Sequence, residues 1–452
     1  MHTVGIIAEY NPFHTGHEYH IQKAKERSGA DFAVVVMSPD YVQRGSPAVF
    51  DKYTRAQMAL QCGADLVLAL PVCYATGSAE YFAEGAVRLL DGLGVIDTLC
   101  FGTEVGGDAD PSKTGAAADA PARLGVSDAE LFQMIARILL EEPESYRHVL
   151  QESMRKGLTF PRAREEAVVR YIQEAADEDC RWLPHFTNQD TTCGMAASRL
   201  LSSPNNILGV EYCKALMKIH SRIVPLPFPR RGNSYSDLTL DGEFCSASAI
   251  RKYLEAGMAV SCFDQISVYL PDAIRSLFAD ACAVPVFLED FLPILSQKLI
   301  YCDQPEKIFD FSPEMADRLG RLRFQCMGKS IQEISALLKT KQITEARIRR
   351  ALLHLILDIR KDSVETFRGD RGVYYAHILG FRRNTEPLLH EIKQKSTLPL
   401  ISKASNASKL LTDVGMQMWS QDMAASHLYR AIRANRYGVP FKAEQEISPI
   451  RL

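Results

Sequence analysis

No apolar run in this chain reaches the roughly 18 residues that a membrane-spanning helix requires, so no such helix is expected. The 11 cysteines form no Cys-x-x-Cys pair and no zinc-type spacing. That argues against a disulfide framework or structural zinc, and for reduced thiols in a cytoplasmic protein. The opening residues lack the charged and apolar regions of a secretory leader. No internal repeat and no long low-complexity tract is found. Charge of one sign is also scarce: the formal net charge is −3, which gives no global basic field of the kind that announces nucleic acid.

What remains is a soluble, globular composition, 46% hydrophobic and 24% charged, over 452 residues, enough for two or three domains. Strand-like and helix-like segments alternate at first. Val4–Ala8, Asp31–Met37, Ala64–Pro71 and Ile96–Gly102 read as buried strands, and Thr54–Gly63 and Ala79–Gly94 as helices closed by glycine. This rhythm predicts an α/β fold with a parallel, Rossmann-like sheet. Glu104 to about Glu130 breaks it with a Gly, Ala, Asp and Pro-rich stretch that reads as a flexible insertion. Helices are expected near 129–142 and 161–176, and Ile223–Phe228 is expected to be the last strand of the sheet. Ser248 is a plausible N-cap for the helix that follows. Beyond about Pro271 strand signals fade, which predicts a Rossmann-like domain over 1–270 and a mostly α-helical domain over 271–452.

Four constellations carry chemistry. His14-Thr15-Gly16-His17 sits on the loop after the first strand and on the first turn of a helix, at the edge of the sheet where α/β folds bind ligands. A helix start there favours phosphate through its free N–H groups. Two imidazoles add donors that can stabilise charge building at the α-phosphorus of a nucleoside triphosphate. Ser246-Ala247-Ser248-Ala249-Ile250-Arg251 places hydroxyls and an arginine at another helix start, a second phosphate cradle. The loop Gln43-Arg44-Gly45, followed by Lys52 and Arg55, offers three cations suited to a triphosphate or an acidic substrate. Asn205 of Pro-Asn-Asn and Arg230 of Arg-Arg-Gly-Asn-Ser-Tyr could read a base, ribose or phosphate. Each has a plain alternative as a helix cap, a turn or a solvated charge; the pairing of the two phosphate motifs across one domain is what raises them above it.

That pairing is the signature of the nucleotidylyltransferase superfamily. The segments GIIAEYNPFHTGHEYH, MSPDYVQRGSPAVFDKYTRAQMAL, FGTE, SPNNILGVEY, RRGNSYSD, SASAIRKYL and YYAHILGFRR together resemble the bacterial tRNA(Met) cytidine acetate ligase family over nearly the whole chain. The resemblance implies a Rossmann-like catalytic domain joined to a helical, tRNA-binding domain. It implies activation of acetate by ATP as acetyl-adenylate, then acetylation of N4 of the wobble cytidine of elongator tRNA(Met), with release of AMP and pyrophosphate. It implies an ATP site made of Ile7, Ala8, Glu9, Tyr10, Asn11, Pro12, Phe13, His14, Thr15, Gly16, His17, Glu18, Tyr19 and His20, with Gly102, Asn205 and Arg230. Ser246, Ser248 and Arg251 would hold the departing phosphates, and His14 and His17 would be catalytic. Mg2+ is expected to bridge the phosphates without a protein metal cage, and neither DNA nor membrane is an expected partner. Ala69 stands where the family usually has glutamate, and Ser-Tyr-Ser-Asp replaces a more usual Tyr-His-Asp.

The distribution of charge supports an RNA partner. Residues 318–383 hold 15 Lys and Arg against 6 Asp and Glu, although the whole chain is acidic. Arg347, Arg349, Arg350, Arg371, Arg382 and Arg383 are candidates to grip phosphates, and Tyr375, beside Tyr374, to stack on unpaired bases. The rival readings are a small-molecule adenylyltransferase that makes a nucleotide cofactor, and a non-catalytic RNA-binding protein.

Overall fold

The computed structural model describes residues 1–104, 127–175, 190–229, 245–256, 263–369 and 371–452. The chain divides into two compact units, Met1–Asp97 with Gly232–Leu452, and Thr98–Arg231.

In the first unit, β1 (Thr3–Ala8) lies parallel to β2 (Phe32–Met37), and β2 lies parallel to β5 (Leu66–Ala69). A two-stranded ribbon of β3 (Tyr41–Val42) and β4 (Ser46–Pro47) sits between β2 and β5 in the chain. The three parallel strands are continuous apolar runs, nearly all buried, as strands covered on both faces must be. Helix α1 (Thr15–Ser28) follows β1, and helix α2 (Lys52–Gln61) follows the ribbon. Glycine closes α1 in the left-handed conformation at Gly29.

The C-terminal half does not follow the expected boundary near 270. It is largely helical, but it returns to this sheet. β8 (Ala376–Phe381) pairs antiparallel with β5, and the two-residue strands β9 (Leu400–Ile401) and β10 (Ile450–Arg451) pair parallel with β8. Strands of two residues carry no periodicity to read, and a six-residue apolar run is ambiguous between strand and buried helix. That is why strand signals fade after 271 in the sequence while strands persist in the fold.

The second unit holds β6 (Thr98–Thr103) parallel to β7 (Val224–Pro229). Between them run the helices Asp128–Glu141, Glu144–Arg155, Phe160–Ala175, Asp190–Ser202 and Pro204–Lys218. The expected insertion falls largely on residues 105–126, which lie outside the described residues; Ser127 caps the helix Asp128–Glu141 through a reciprocal box with Glu130. Among the described residues no helix is long and apolar enough to cross a membrane, and the cysteines are free thiols.

Candidate active site

The loop after β1 is packed before it is polar. Tyr10 and Phe13 are buried, their ring centroids 4.8 Å apart, and both rings touch His17. Tyr10 holds a positive φ of 48°, an uncommon conformation for a bulky residue, and the Asn11–Pro12 bond is cis. Side chains and carbonyls fix this path from outside. The Asn11 Oδ1 accepts the Val49 N–H at 2.9 Å, and Glu9 Oε1 accepts the Gln43 N–H at 2.8 Å.

His14 is the N-cap of α1. Its Nδ1 accepts the Gly16 N–H at 3.0 Å, and the His14 N–H donates to Nδ1 of His17 at 3.3 Å. The two histidines thus form a capping box with imidazoles in place of the usual hydroxyl and carboxylate. Because each Nδ1 accepts, each neutral ring carries its proton on Nε2. The rings lie 3.9 Å apart between centroids.

This geometry corrects one expectation. The first amides of α1 are not free for phosphate: the Thr15 N–H donates to the Tyr269 carbonyl at 2.9 Å, Gly16 to His14, and the His17 N–H to the His14 carbonyl. The imidazoles are therefore the polar groups this helix start has to offer. Two hydroxyls join them, since the Tyr10 Oη and Thr15 Oγ1 are buried without a hydrogen-bond partner. Burial also pushes the Tyr10 phenol well above its ordinary range and raises the Glu18 carboxyl.

The second phosphate motif is brought onto this loop by Arg251. Its guanidinium donates to the Asn11 carbonyl through one nitrogen and to Ser248 Oγ at 2.9 Å through the other. Ser246, not Ser248, is the N-cap of the helix Ala247–Glu255, accepting the Ala249 N–H at 3.1 Å. Ser248 lies in the first turn and faces Arg251 instead.

The third constellation comes apart. Arg55 is fully buried and spends its donors on four carbonyls: Phe50 at 2.8 Å, Glu9 at 2.6 Å, Ser38 at 3.0 Å, and Pro39. Lys52 is equally buried, 2.7 Å from Glu444 and 3.6 Å from Asp40, with Ser426 at 2.9 Å. Neither is placed for a triphosphate. Only Arg44 of the three cations is exposed.

In the second unit, Gly102 lies in β6 opposite Phe228 of β7. Asn205 is half-buried and its amide donates to Glu104 Oε1 at 2.8 Å, while Ser203 donates to Oε2 at 2.6 Å. Asn206 is buried and accepts from Thr103 Oγ1 and the Glu104 N–H, both at 2.9 Å. Asn206 therefore holds the chain, and Asn205 is the amide nearer the surface. Arg230 lies outside the described residues. Among the described residues no three His, Cys, Asp or Glu side chains gather to hold a metal.

A family model described as HIGH Nucleotidyl Transferase matches residues 1–121 and 124–442. A tRNA(Met) cytidine acetate ligase of Caldanaerobacter subterraneus is 39% identical, covering 95% of each chain, and one of Clostridium perfringens is 33% identical over 100% of this chain and 99% of its own. The crystal structure of Thermotoga maritima TmcAL bound with alpha-thio ATP superposes with a TM-score of 0.80 at 31% identity, and the apo form with 0.83, both over the full length of each chain. The chain belongs to the tRNA(Met) cytidine acetate ligase family of HIGH nucleotidyl transferases.

The residues singled out for RNA in such a family member divide by accessibility. Arg347 donates to the Asp310 carbonyl at 3.1 Å and Arg350 to Asp310 Oδ2 at 2.6 Å, so both brace the helix Glu345–Leu357 against that turn. Arg349 is 38% exposed beside Glu345, Arg382 is 41% exposed near Asp65, and Arg371 and Arg383 are exposed. Tyr375 is fully buried and donates to Asp422 Oδ2 at 2.5 Å, so it has no face to offer a base. Tyr374 is buried as well.

Sequence reasoning missed the roles of three residues. Glu104 is the acid that Asn205 and Ser203 hold. Tyr269 covers the start of α1 through its carbonyl, which no sequence pattern marks. Gly45, with φ 75°, packs so tightly on the helix Glu345–Leu357 that a Cβ would lie 2.3 Å from the Arg350 nitrogen. The Gln-Arg-Gly pattern was the available signal there: it seats Arg44 beside the basic helix, while its neighbour Gln43 is bonded to Glu9.

Proposed function

We propose that this protein is an ATP-dependent ligase that activates acetate and acetylates N4 of the wobble cytidine of elongator tRNA(Met). An acetate oxygen attacks the α-phosphorus of ATP, pyrophosphate leaves, and acetyl-adenylate forms. The cytidine amine then attacks the acetyl carbon, the N4 proton is lost, and AMP leaves. Activation is needed because the N4 lone pair is delocalised into the ring.

The observation that carries this reading is the pair of imidazoles capping α1, each accepting a backbone N–H through Nδ1. Such rings donate without a prior change of protonation to charge that grows on the α-phosphate. His14 and His17 are the catalytic pair; Ile7 to His20, with Gly102, Asn205 and Arg230, form the ATP site. Ser246, Ser248 and Arg251 hold the leaving phosphates, with Arg251 also fixing the Asn11 carbonyl. Mg2+ held by the ATP phosphates would neutralise part of their charge. Arg349, Arg371, Arg382 and Arg383, on the C-terminal half, grip the tRNA backbone.

The test is transfer of label. Purified protein, ATP, magnesium, labelled acetate and elongator tRNA(Met) are incubated, and the tRNA is digested to nucleosides. The expected result is label in acetylcytidine with AMP released in step. Adenylation of a small molecule with no label in tRNA would favour a cofactor-forming adenylyltransferase instead.

A further inference from the structure

Burial of Tyr374 and Tyr375 removes the aromatic faces that the sequence offered to unpaired bases, and other rings supply them. Tyr301 is 76% exposed and Phe324 is 66% exposed. Tyr301 ends the helix Leu292–Tyr301, and Phe324 lies in the short 3-10 turn Arg323–Cys326 after the helix Pro313–Leu322. The two elements are tied together beneath the rings. Arg323 Nη1 donates to the carbonyl of Cys302, the residue after Tyr301, at 3.3 Å. Leu299, Leu319 and Cys326, from the same elements, are buried. Both rings therefore stand on anchored backbone.

Cations surround them. The Arg323 guanidinium carbon lies 5.0 Å from the Phe324 ring centroid. Lys298 stands one turn before Tyr301, and Arg321 three residues before Phe324; neither has an ion-pair partner among the described residues. Two acids lie near this face: Asp303, 88% exposed, at 3.8 Å from Arg323, and Glu306, which like Asp303 acts on the Cys302 thiol. Aromatic rings interleaved with cations fit single-stranded nucleic acid, whose bases stack while its phosphates are neutralised. A protein partner would call for a continuous apolar patch, and a duplex would present no base faces.

We propose that Tyr301, Arg323 and Phe324 form a platform on which unpaired bases of the tRNA substrate stack. The platform rests on the tRNA reading above and adds to it the place where base faces are held.

The experiment is binding of fluorescently labelled elongator tRNA(Met) to the full chain at one fixed salt concentration, read by anisotropy. Y301A/F324A is expected to bind about tenfold or more weakly, because each base–aromatic stack is worth that much. Its melting temperature should match the parent's, since both rings are surface groups. Y301F/F324Y, which keeps the rings, is expected to bind like the parent. Binding by Y301A/F324A within about twofold of the parent overturns the platform while the tRNA reading stands. A parent that binds no tRNA overturns both. Loss of self-association in Y301A/F324A with unchanged tRNA affinity would assign the patch to a second copy of the chain and also overturns the platform.

Discussion

The loops that follow β1 and β2 leave neighbouring parallel strands at the same edge of the sheet, and each carries basic side chains. In the first, His14 and His17 accept backbone N–H groups through Nδ1. In the second, which runs through the ribbon into α2, Lys52 and Arg55 in the first turn of α2 are buried, and their donors are used by Glu444, Asp40, Ser426 and four carbonyls. One loop caps its helix with imidazoles and the other is braced by buried cations. Arg55 reaches the Glu9 carbonyl at the mouth of the first loop, so the second loop's buried cation sets the first loop's course. Residue type at a sheet edge does not separate these roles; what the donors are spent on does.

The comparison can be broken most severely at Arg55. Arg55→Met removes every donor from four buried carbonyls and is expected to destabilise the fold by about 3–5 kcal/mol. Thermal or urea unfolding checks it, and a variant as stable as the parent would deny Arg55 its bracing role. His14→Asn should separate the two loops. Asparagine is itself a strong N-cap, so the melting temperature should hold, while acetate-dependent pyrophosphate exchange falls by about 100- to 1,000-fold. Arg251→Lys keeps the charge but cannot bridge Ser248 and the Asn11 carbonyl with a planar fork, and exchange should fall by about tenfold at unchanged stability.

A smaller effect belongs to the buried network behind the second loop. Burial holds His377 down to about 3 and His354 down to about 4, both neutral at pH 7. A histidine with a depressed pKa contributes stability that is present above its unfolded value near 6.5 and is lost as pH falls toward the folded value. Asp422, raised to about 6 by burial, works in the opposite sense between about 6 and 3.8. The net expectation is a fall in melting temperature from pH 6.5 to pH 5, with each histidine contributing on the order of 1–2 kcal/mol. His354→Gln should flatten that profile. The smallest effect is expected at the surface: Arg349→Ala should weaken tRNA binding by less than about tenfold and reduce its salt dependence by about one phosphate contact.

What could be read in advance was local. The His-x-Gly-His loop, the Ser-x-Ser-x-Ile-Arg turn and the parallel strands are runs of neighbouring residues whose types and spacing carry their meaning. The bond from Arg251 to Asn11, 240 residues away, was anticipated only as two motifs belonging to one superfamily. The fates of Lys52 and Arg55 could not be read, because their partners include a carboxylate near the C-terminus and carbonyls, which are the same in every residue. β8 was hidden for a related reason: its antiparallel place beside β5 depends on a partner more than 300 residues away. Tyr375 looked like a stacking residue among arginines, and only its bond to Asp422 shows that it is core.

The most direct test of the account is pyrophosphate exchange into ATP by the purified protein with magnesium and no tRNA, measured with and without acetate. The account predicts exchange that requires acetate and disappears in His14→Asn. Exchange that ignores acetate, or that survives His14→Asn, would contradict the claim that the capped histidine pair after β1 forms an acyl-adenylate.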